Sequence, residues 1–249
     1  MKKIRVTVWN EYRHEKTKEN VKALYPNGLH AKIKEFLDEC DDLEVRLAAL
    51  DDPDQGLPDE VLNNTDVLIW WGHMAHHLVD DALADRIRDR VYTGKMGFIA
   101  LHSAHKSKPF ASILGTNGNL SWGRDQKEIL WNMLPAHEIA AGIPDHFLLE
   151  CEELYSEPFY IPQPDELIFG GWFEDGHIMR SGATFYRGAG KIFYFQPGHE
   201  SCRAFYHPCV QRIITNAIRW AKPNDFGFEI EDKCPHVTWK TTDEFGKSL

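Results

Sequence analysis

Residues 4–9, Ile-Arg-Val-Thr-Val-Trp, alternate apolar and polar side chains and predict a half-buried strand. Residues 44–50, 66–71 and 97–101 are three more short runs rich in Val, Leu, Ile, Trp and Phe, and they read as further strands. Between them the period changes from two to three or four. Leu29, Ile33, Phe36, Leu37 and Cys40 fall on one face of a helix opened by Asn27-Gly28, and Val79, Leu83, Ile87 and Val91 form a second stripe that ends at Gly94. Strands alternating with helices predict βαβ units and a mostly parallel sheet. After residue 115 the rhythm shifts to shorter strands within 127–195, separated by the turn signals Gly170-Gly171, Asp175-Gly176 and Gly188-Ala189-Gly190. An antiparallel excursion is expected between about residues 127 and 190. Residues 208–221 close the pattern with a helix that turns Val210, Ile213, Ile214, Ala217 and Ala221 inward, with Pro208 at its first position. The stretch after the first strand, which contains His14, reads as a polar loop.

The histidines follow this pattern. Asn10, Glu11 and His14 come after the first strand, His73, His76 and His77 after the third, His102 and His105 after the fourth, and His199-Glu200 after the last. In an open parallel sheet all four segments reach the carboxyl edge, where ligands bind. A lone histidine is more often a solvated or hydrogen-bonded residue than a ligand, but four segments converging on one edge define a candidate pocket. The two His-x-x-His pairs, His73/His76 and His102/His105, would share a face in a helical turn and, with Glu11 or Glu200 nearby, could hold a divalent metal such as zinc. Trp71 is a packing residue with a possible sugar-facing role.

Composition narrows the function classes. The net charge of −10 argues against a nucleic-acid partner, which requires a basic face. No stretch is long and apolar enough for a membrane span, and the first residues lack the pattern of a secretory signal, so a cytoplasmic location is expected. Five cysteines without a Cys-x-x-Cys pair read as reduced thiols.

At "GFIALHSAHKSKPF" (97–110), "PAHEIAAGIPDHFLLECEELY" (135–155) and "GKIFYFQPGHES" (190–201) the chain resembles the ThuA-like, trehalose-utilisation family, over roughly residues 3–221. That resemblance implies a three-layer α/β/α sandwich with a mostly parallel central sheet, similar to class I glutamine amidotransferases and flavodoxin-like in topology. It also implies a role in disaccharide catabolism through keto-sugar intermediates. In the amidotransferases the turn after the equivalent strand carries a nucleophilic cysteine, activated by a His-x-Glu pair after the late strand. Here His102 matches the cysteine position, and His199 and Glu200 are adjacent. Glutaminase chemistry needs a thiolate at that turn, so that reaction is lost. The family pattern also places Glu153 and Tyr155 beside the site.

The expectation is therefore a domain over residues 1–222 with a tail over 223–249. It would act on a small carbohydrate, a keto-sugar or keto-disaccharide, by acid/base chemistry with or without the help of a divalent metal. His102, His199 and Glu200 are the expected catalytic groups, with His199 as base and His102 and His105 facing the oxyanion. Asn10, Glu11, Trp71, Ser103, Glu153 and Tyr155 are expected on the substrate, and Ser103 as a nucleophile is the weaker reading because no oxyanion-hole glycine follows it. The alternative is a non-catalytic carbohydrate-binding or assembly module on the same fold. Phe226, Phe228 and Trp239 in the tail suggest a docking segment and a homo-oligomer.

Overall fold

Every run that the sequence marks as strand falls within or overlaps a strand of the computed structural model, which describes residues 2–224. The first half runs β1 (Ile4–Asn10), α1 (His14–Thr17), α2 (Glu19–Leu24), α3 (Leu29–Leu37), β2 (Leu43–Ala49), α4 (Asp59–Asn63), β3 (Val67–Trp71), α5 (Asp81–Tyr92), β4 (Gly97–Leu101) and α6 (Lys108–Leu114). The second half runs β5 (Ser121–Asn132), β6 (His146–Ser156), β7 (Glu166–Phe173), β8 (Ile178–Arg187), β9 (Gly190–Phe195) and α7 (Pro208–Ala221).

All nine strands join one sheet in the order β2-β1-β3-β4-β9-β8-β7-β5-β6. The pairings from β2 through β9 are parallel, and those from β9 through β6 are antiparallel. The fold is thus mixed α/β, and the antiparallel part is half of the sheet rather than an excursion from a mostly parallel one. Local chemistry accounts for this. The amphipathic helices α3 after β1 and α5 after β3 carry the chain back for a parallel return. In the later half no α-helix intervenes between β5 and β9, and the chain returns antiparallel, most tightly where Arg187 pairs with Gly190 across a two-residue loop.

Alternate residues of the central strands feed two separate apolar clusters. Val67, Ile69 and Trp71 pack with Ile33 and Phe36 of α3 and Ile213, Ile214 and Ala217 of α7. Leu68 and Trp70 pack with Leu83, Ile87 and Val91 of α5 and with Phe110 and Ile113 of α6. Each such side chain contributes about 1.5–3 kcal/mol by leaving water, which holds the parallel strands in register and fixes where their carboxyl ends lie. Helix α6 starts where Ser107 accepts a hydrogen bond from the Phe110 amide at 3.3 Å and stops at Gly115, whose φ of 65° only glycine adopts without strain.

Three further expectations change, the first being that Gly170-Gly171, read as a turn, lies inside β7. The polar stretch after β1 forms α1 and α2, which bury His14, Glu15 and Val21. Cys151 and Cys202, expected as reduced thiols, are joined as a disulfide with Cα atoms 5.5 Å apart, while Cys40 and Cys209 are free thiols. The bonded pair is 51 residues apart in sequence and meets only because β6 passes the loop after β9, a contact that spacing does not disclose. Cys234 and the tail from residue 225, including Phe226, Phe228 and Trp239, lie outside the described residues.

Candidate functional site

The carboxyl ends of β1, β3, β4 and β9 are adjacent in the sheet, and the loops that leave them carry His14, His73, His102 and His199. At the end of β4 the chain turns through His102 with φ 52°, a left-handed conformation that side-chain-bearing residues rarely take. That turn sends the imidazole inward, where it is fully buried. After β9, Gly198 takes φ 137°, and a Cβ there would meet the Phe205 ring at 2.8 Å. The loop is held by Glu152 on β6, which accepts from the Gly198 and His199 amides at 3.1 and 3.3 Å. It is also held by Trp71, whose Nε1 donates to the Gly198 carbonyl at 2.9 Å.

His73, His102, His199 and Glu153 each point one ligand-type atom into a common space, and all four atoms lie within 4.8 Å of one another. The outer nitrogens of the rings are committed elsewhere. His102 Nδ1 donates to the Gln196 carbonyl at 3.0 Å, because a carbonyl can only accept. His73 Nδ1 is 2.7 Å from Glu200 Oε2, and His199 Nδ1 is 2.7 Å from Ser201 Oγ, which itself donates to Asp125 at 2.7 Å. Each ring is therefore anchored from behind, leaving Nε2 for the cluster. A neutral His102 then turns a lone pair toward Glu153 Oε2 at 3.1 Å, which is repulsive unless a proton or a cation lies between them. Ligands around a tetrahedral zinc are about 3.4 Å apart, so the donor set fits such an ion after small side-chain adjustments.

The electrostatics are consistent with this arrangement. Burial opposes ionisation of Glu153, but the adjacent His102 and the neighbouring imidazoles hold its carboxyl below the usual range. Burial, aided by the adjacent His102, lowers His199 to about 4, so its ring is neutral. Burial lowers His73 as well, yet its hydrogen bond to Glu200 together with the charges of Glu200, Glu153 and Glu11 outweighs it and raises the group. Glu200 is buried below the cluster with His14 Nδ1 at 2.7 Å, His73 Nδ1 at 2.7 Å and Lys18 Nζ at 3.1 Å. These partners overcome its burial and keep it far below the carboxylate range. Glu200 is thus a permanent anion that orients His73 and His14.

A cavity of about 330 Å³ opens onto His73 and Glu153. Its wall includes Ser103 and Tyr155, whose hydroxyls are 2.5 Å apart, with Tyr155 also 3.2 Å from His102 Nε2. Burial and the nearby Glu153 push the Tyr155 phenol well above its ordinary range, so it remains a donor. Trp122, Lys106 and Asn119 stand at the mouth, and Trp122 is 73% exposed there. Sequence reasoning missed Trp122 because the Gly/Asn-rich segment before it hides the start of β5; an exposed aromatic beside that loop was the available signal.

Several expected site residues act differently. The set His73, His76, His102 and His105 does not meet as a group. Because His102 has positive φ, its ring departs from the turn away from His105, whose Nδ1 donates to the Gly118 carbonyl at 2.6 Å. Burial lowers His105 to about 3, and its ring packs against Tyr155 and Phe159, so it lines the cavity as a neutral packing group outside the cluster. His76 begins a 3-10 turn, out of phase with His73. Asn10 is buried, donating to Glu15 and accepting from the Tyr12 amide, and Glu11 is buried, accepting from the Met74 and Ala75 amides. Both hold the loops, and neither lines the cavity. Trp71 is likewise fully buried and has no sugar-facing surface.

Fold and site together define an α/β protein with a mixed nine-stranded sheet and a histidine–carboxylate centre at the carboxyl edge of its parallel half. Residues 5–221 match the ThuA family, described as trehalose utilisation, and the chain belongs to that family. This membership points to a carbohydrate-related role. No curated protein matches the chain. Among solved structures it is similar to a ThuA-like protein from Parabacteroides merdae ATCC 43184, with 16% identity, TM-score 0.68, and coverage of 95% of this chain and 94% of that one. A ThuA-like protein from Bacteroides uniformis ATCC 8492 has 14% identity and TM-score 0.61 over 88% of this chain and 91% of that one. Cytoplasmic protein STM3548 from Salmonella typhimurium has 11% identity and TM-score 0.61 over 89% of this chain and 100% of that one. At these identities the likeness shows the fold. No helix among the described residues is long and apolar enough to cross a membrane.

Proposed function

We propose that the protein is a carbohydrate-active enzyme that enolises a keto-sugar at a divalent metal centre, with zinc as the ion that suits the donors. One observation supports this most: three imidazoles anchored through Nδ1 surround a single carboxylate, His102 Nε2 lying 3.1 Å from it. Such anchoring fixes the tautomer of metal-binding histidines. His73, His102 and His199 would hold the ion, which would polarise the sugar carbonyl as a Lewis acid. Glu153, ionised and open to the cavity, takes the proton from the carbon next to that carbonyl, and the freed electron pair moves onto the carbonyl oxygen. Tyr155 and Ser103 donate hydrogen bonds to the sugar hydroxyls. Reprotonation from Glu153 completes an exchange or an isomerisation. This reading moves the base from His199 to Glu153, because a histidine that ligates the metal has no free lone pair.

The test combines elemental analysis of untagged protein with NMR in deuterated water containing a keto-disaccharide. The expected result is near-stoichiometric metal and solvent exchange of the proton next to the carbonyl, reduced by about 10²–10⁴ in Glu153→Gln. Metal-free protein with full exchange would remove the ion but keep the acid/base reading. No exchange in metal-loaded protein would leave a carbohydrate-binding or assembly module.

A further inference from the structure

The antiparallel half of the sheet presents an apolar face that no described residue covers. Directly opposed residues on neighbouring strands share a face. Leu148 of β6 pairs with Ile129 of β5, Ile129 with Trp172 of β7, and Trp172 with Ile178 of β8, so one row of four apolar side chains crosses four strands. Trp131 extends this face next to Gly170, and Met133 lies over the same glycine. Leu148, Trp131, Met133, Trp172 and Ile178 are between 40% and 61% exposed.

The geometry points to this face as the dimer interface between two copies of the chain, independently of the proposed reaction. Three features favour a second copy. The open apolar surface of these side chains is roughly 500 Å², near the top of the about 300–600 Å² found for the largest patch on a monomer. It is also the right size for the apolar centre of a standard interface, which buries about 800 Å² per partner including its polar rim. Finally, the face is self-complementary, as a two-fold interface requires. Trp131 and Trp172 project as knobs, and beside them a groove of about 610 Å³ runs over Gly170, whose missing side chain leaves space beside Met133 for the other copy's indole. At the groove's edge the Arg180–Glu157 pair, 2.7 Å apart, supplies both charge signs, so two copies of a chain with net charge −10 meet there without like-charge opposition.

Sedimentation of the full chain tests the assignment, with Trp172→Arg as the perturbation and concentration-dependent hydrogen exchange as the local readout. The expected result is a wild-type dimer at micromolar concentration, with amides of β5 and β7 protected on dilution-sensitive terms. Trp172→Arg should weaken association about 30-fold or more, the effect of losing one central aromatic, with unchanged melting because the side chain is exposed. Trp131→Glu checks the same face should the first variant fold poorly. A chain that stays monomeric throughout the micromolar range overturns the proposal, including the case in which cross-linking places residues 225–249 of the same chain on the groove. A dimer equally tight in both variants overturns it too.

Discussion

Replacing Glu200 by glutamine asks whether the cluster is a metal centre whose ligands are tuned from behind. Glu200 is buried, and its two oxygens face His73 and His14 Nδ1 at 2.7 Å each, with Lys18 Nζ at 3.1 Å. Glutamine keeps the shape but removes the charge and turns an amide N–H₂ toward one of the two imidazoles. The charge-assisted hydrogen bond to His73 is worth about 1.5–3 kcal/mol, against about 0.5–1.5 for a neutral one, so roughly 1–2 kcal/mol of orientation and basicity is lost at His73. Lys18 is half exposed, and the loss of its ion pair adds little after screening. Through His73 the change should weaken zinc binding about 10- to 100-fold, the usual cost of removing a partner behind a metal ligand. The assay is competition for zinc against a chromophoric chelator, comparing wild type, Glu200→Gln and His73→Ala, with melting curves to show that each is folded. The histidine variant should lose more affinity than the glutamine one. Folded Glu200→Gln that binds zinc within a factor of about two of wild type would refute the coupling from Glu200 through His73 to the metal.

Two other predictions follow from the geometry. Trp122→Ala should raise KM about fivefold with kcat nearly unchanged, since the exposed indole at the cavity mouth offers stacking surface of about 1 kcal/mol but touches no reacting group; an unchanged KM in steady-state kinetics would remove it as a binding wall. Glu128, buried beside Ser181 Oγ at 2.9 Å, is pushed up to about 8 by desolvation, so below the ordinary carboxylate range both folded and unfolded states hold the proton and it has no effect. As pH rises toward 8 the unfolded chain ionises first, and stability falls by on the order of a few kcal/mol. Urea unfolding across that window should show a shallower slope in Glu128→Gln, and an identical slope would refute the assignment.

Much of this was legible in the sequence because period and burial agree. The stripe Leu83, Ile87 and Val91 needs only helical spacing to be placed, and the run Gly97–Leu101 needs only its apolar continuity. Those same elements brought His73, His102 and His199 to one edge. What periodicity could not give was the direction of each side chain after its strand ended. His102 and His105 look equivalent in sequence, yet one positive φ separates them, and backbone sign at a single turn leaves no compositional trace. Glu153 reached the cluster only because β6 pairs with β5 at the far edge of an antiparallel array, a long-range register that local pattern does not encode. Asn10 and Glu11 were misread for a related reason: polar residues at a strand's carboxyl end serve either a ligand or the orphan amides of the next loop, and only the structure shows that the Met74 and Ala75 amides claim Glu11.

The turn at His102 shows how one backbone position accommodates different chemistry. A left-handed residue at the end of a buried strand is held there by the surrounding cores and aims one side chain at the carboxyl edge, whatever that side chain is. A thiol in that place would be a nucleophile, whereas an imidazole with Nδ1 tied to the Gln196 carbonyl is a fixed nitrogen donor. His199 and Glu200, drawn to the same edge by β9, then differ in task through their surroundings: the ring is kept neutral by burial and by His102, and the carboxylate is kept charged by His14 and His73. A neutral donor in front of a permanent anion suits the cation of the proposed centre, and it gives no help to a covalent nucleophile.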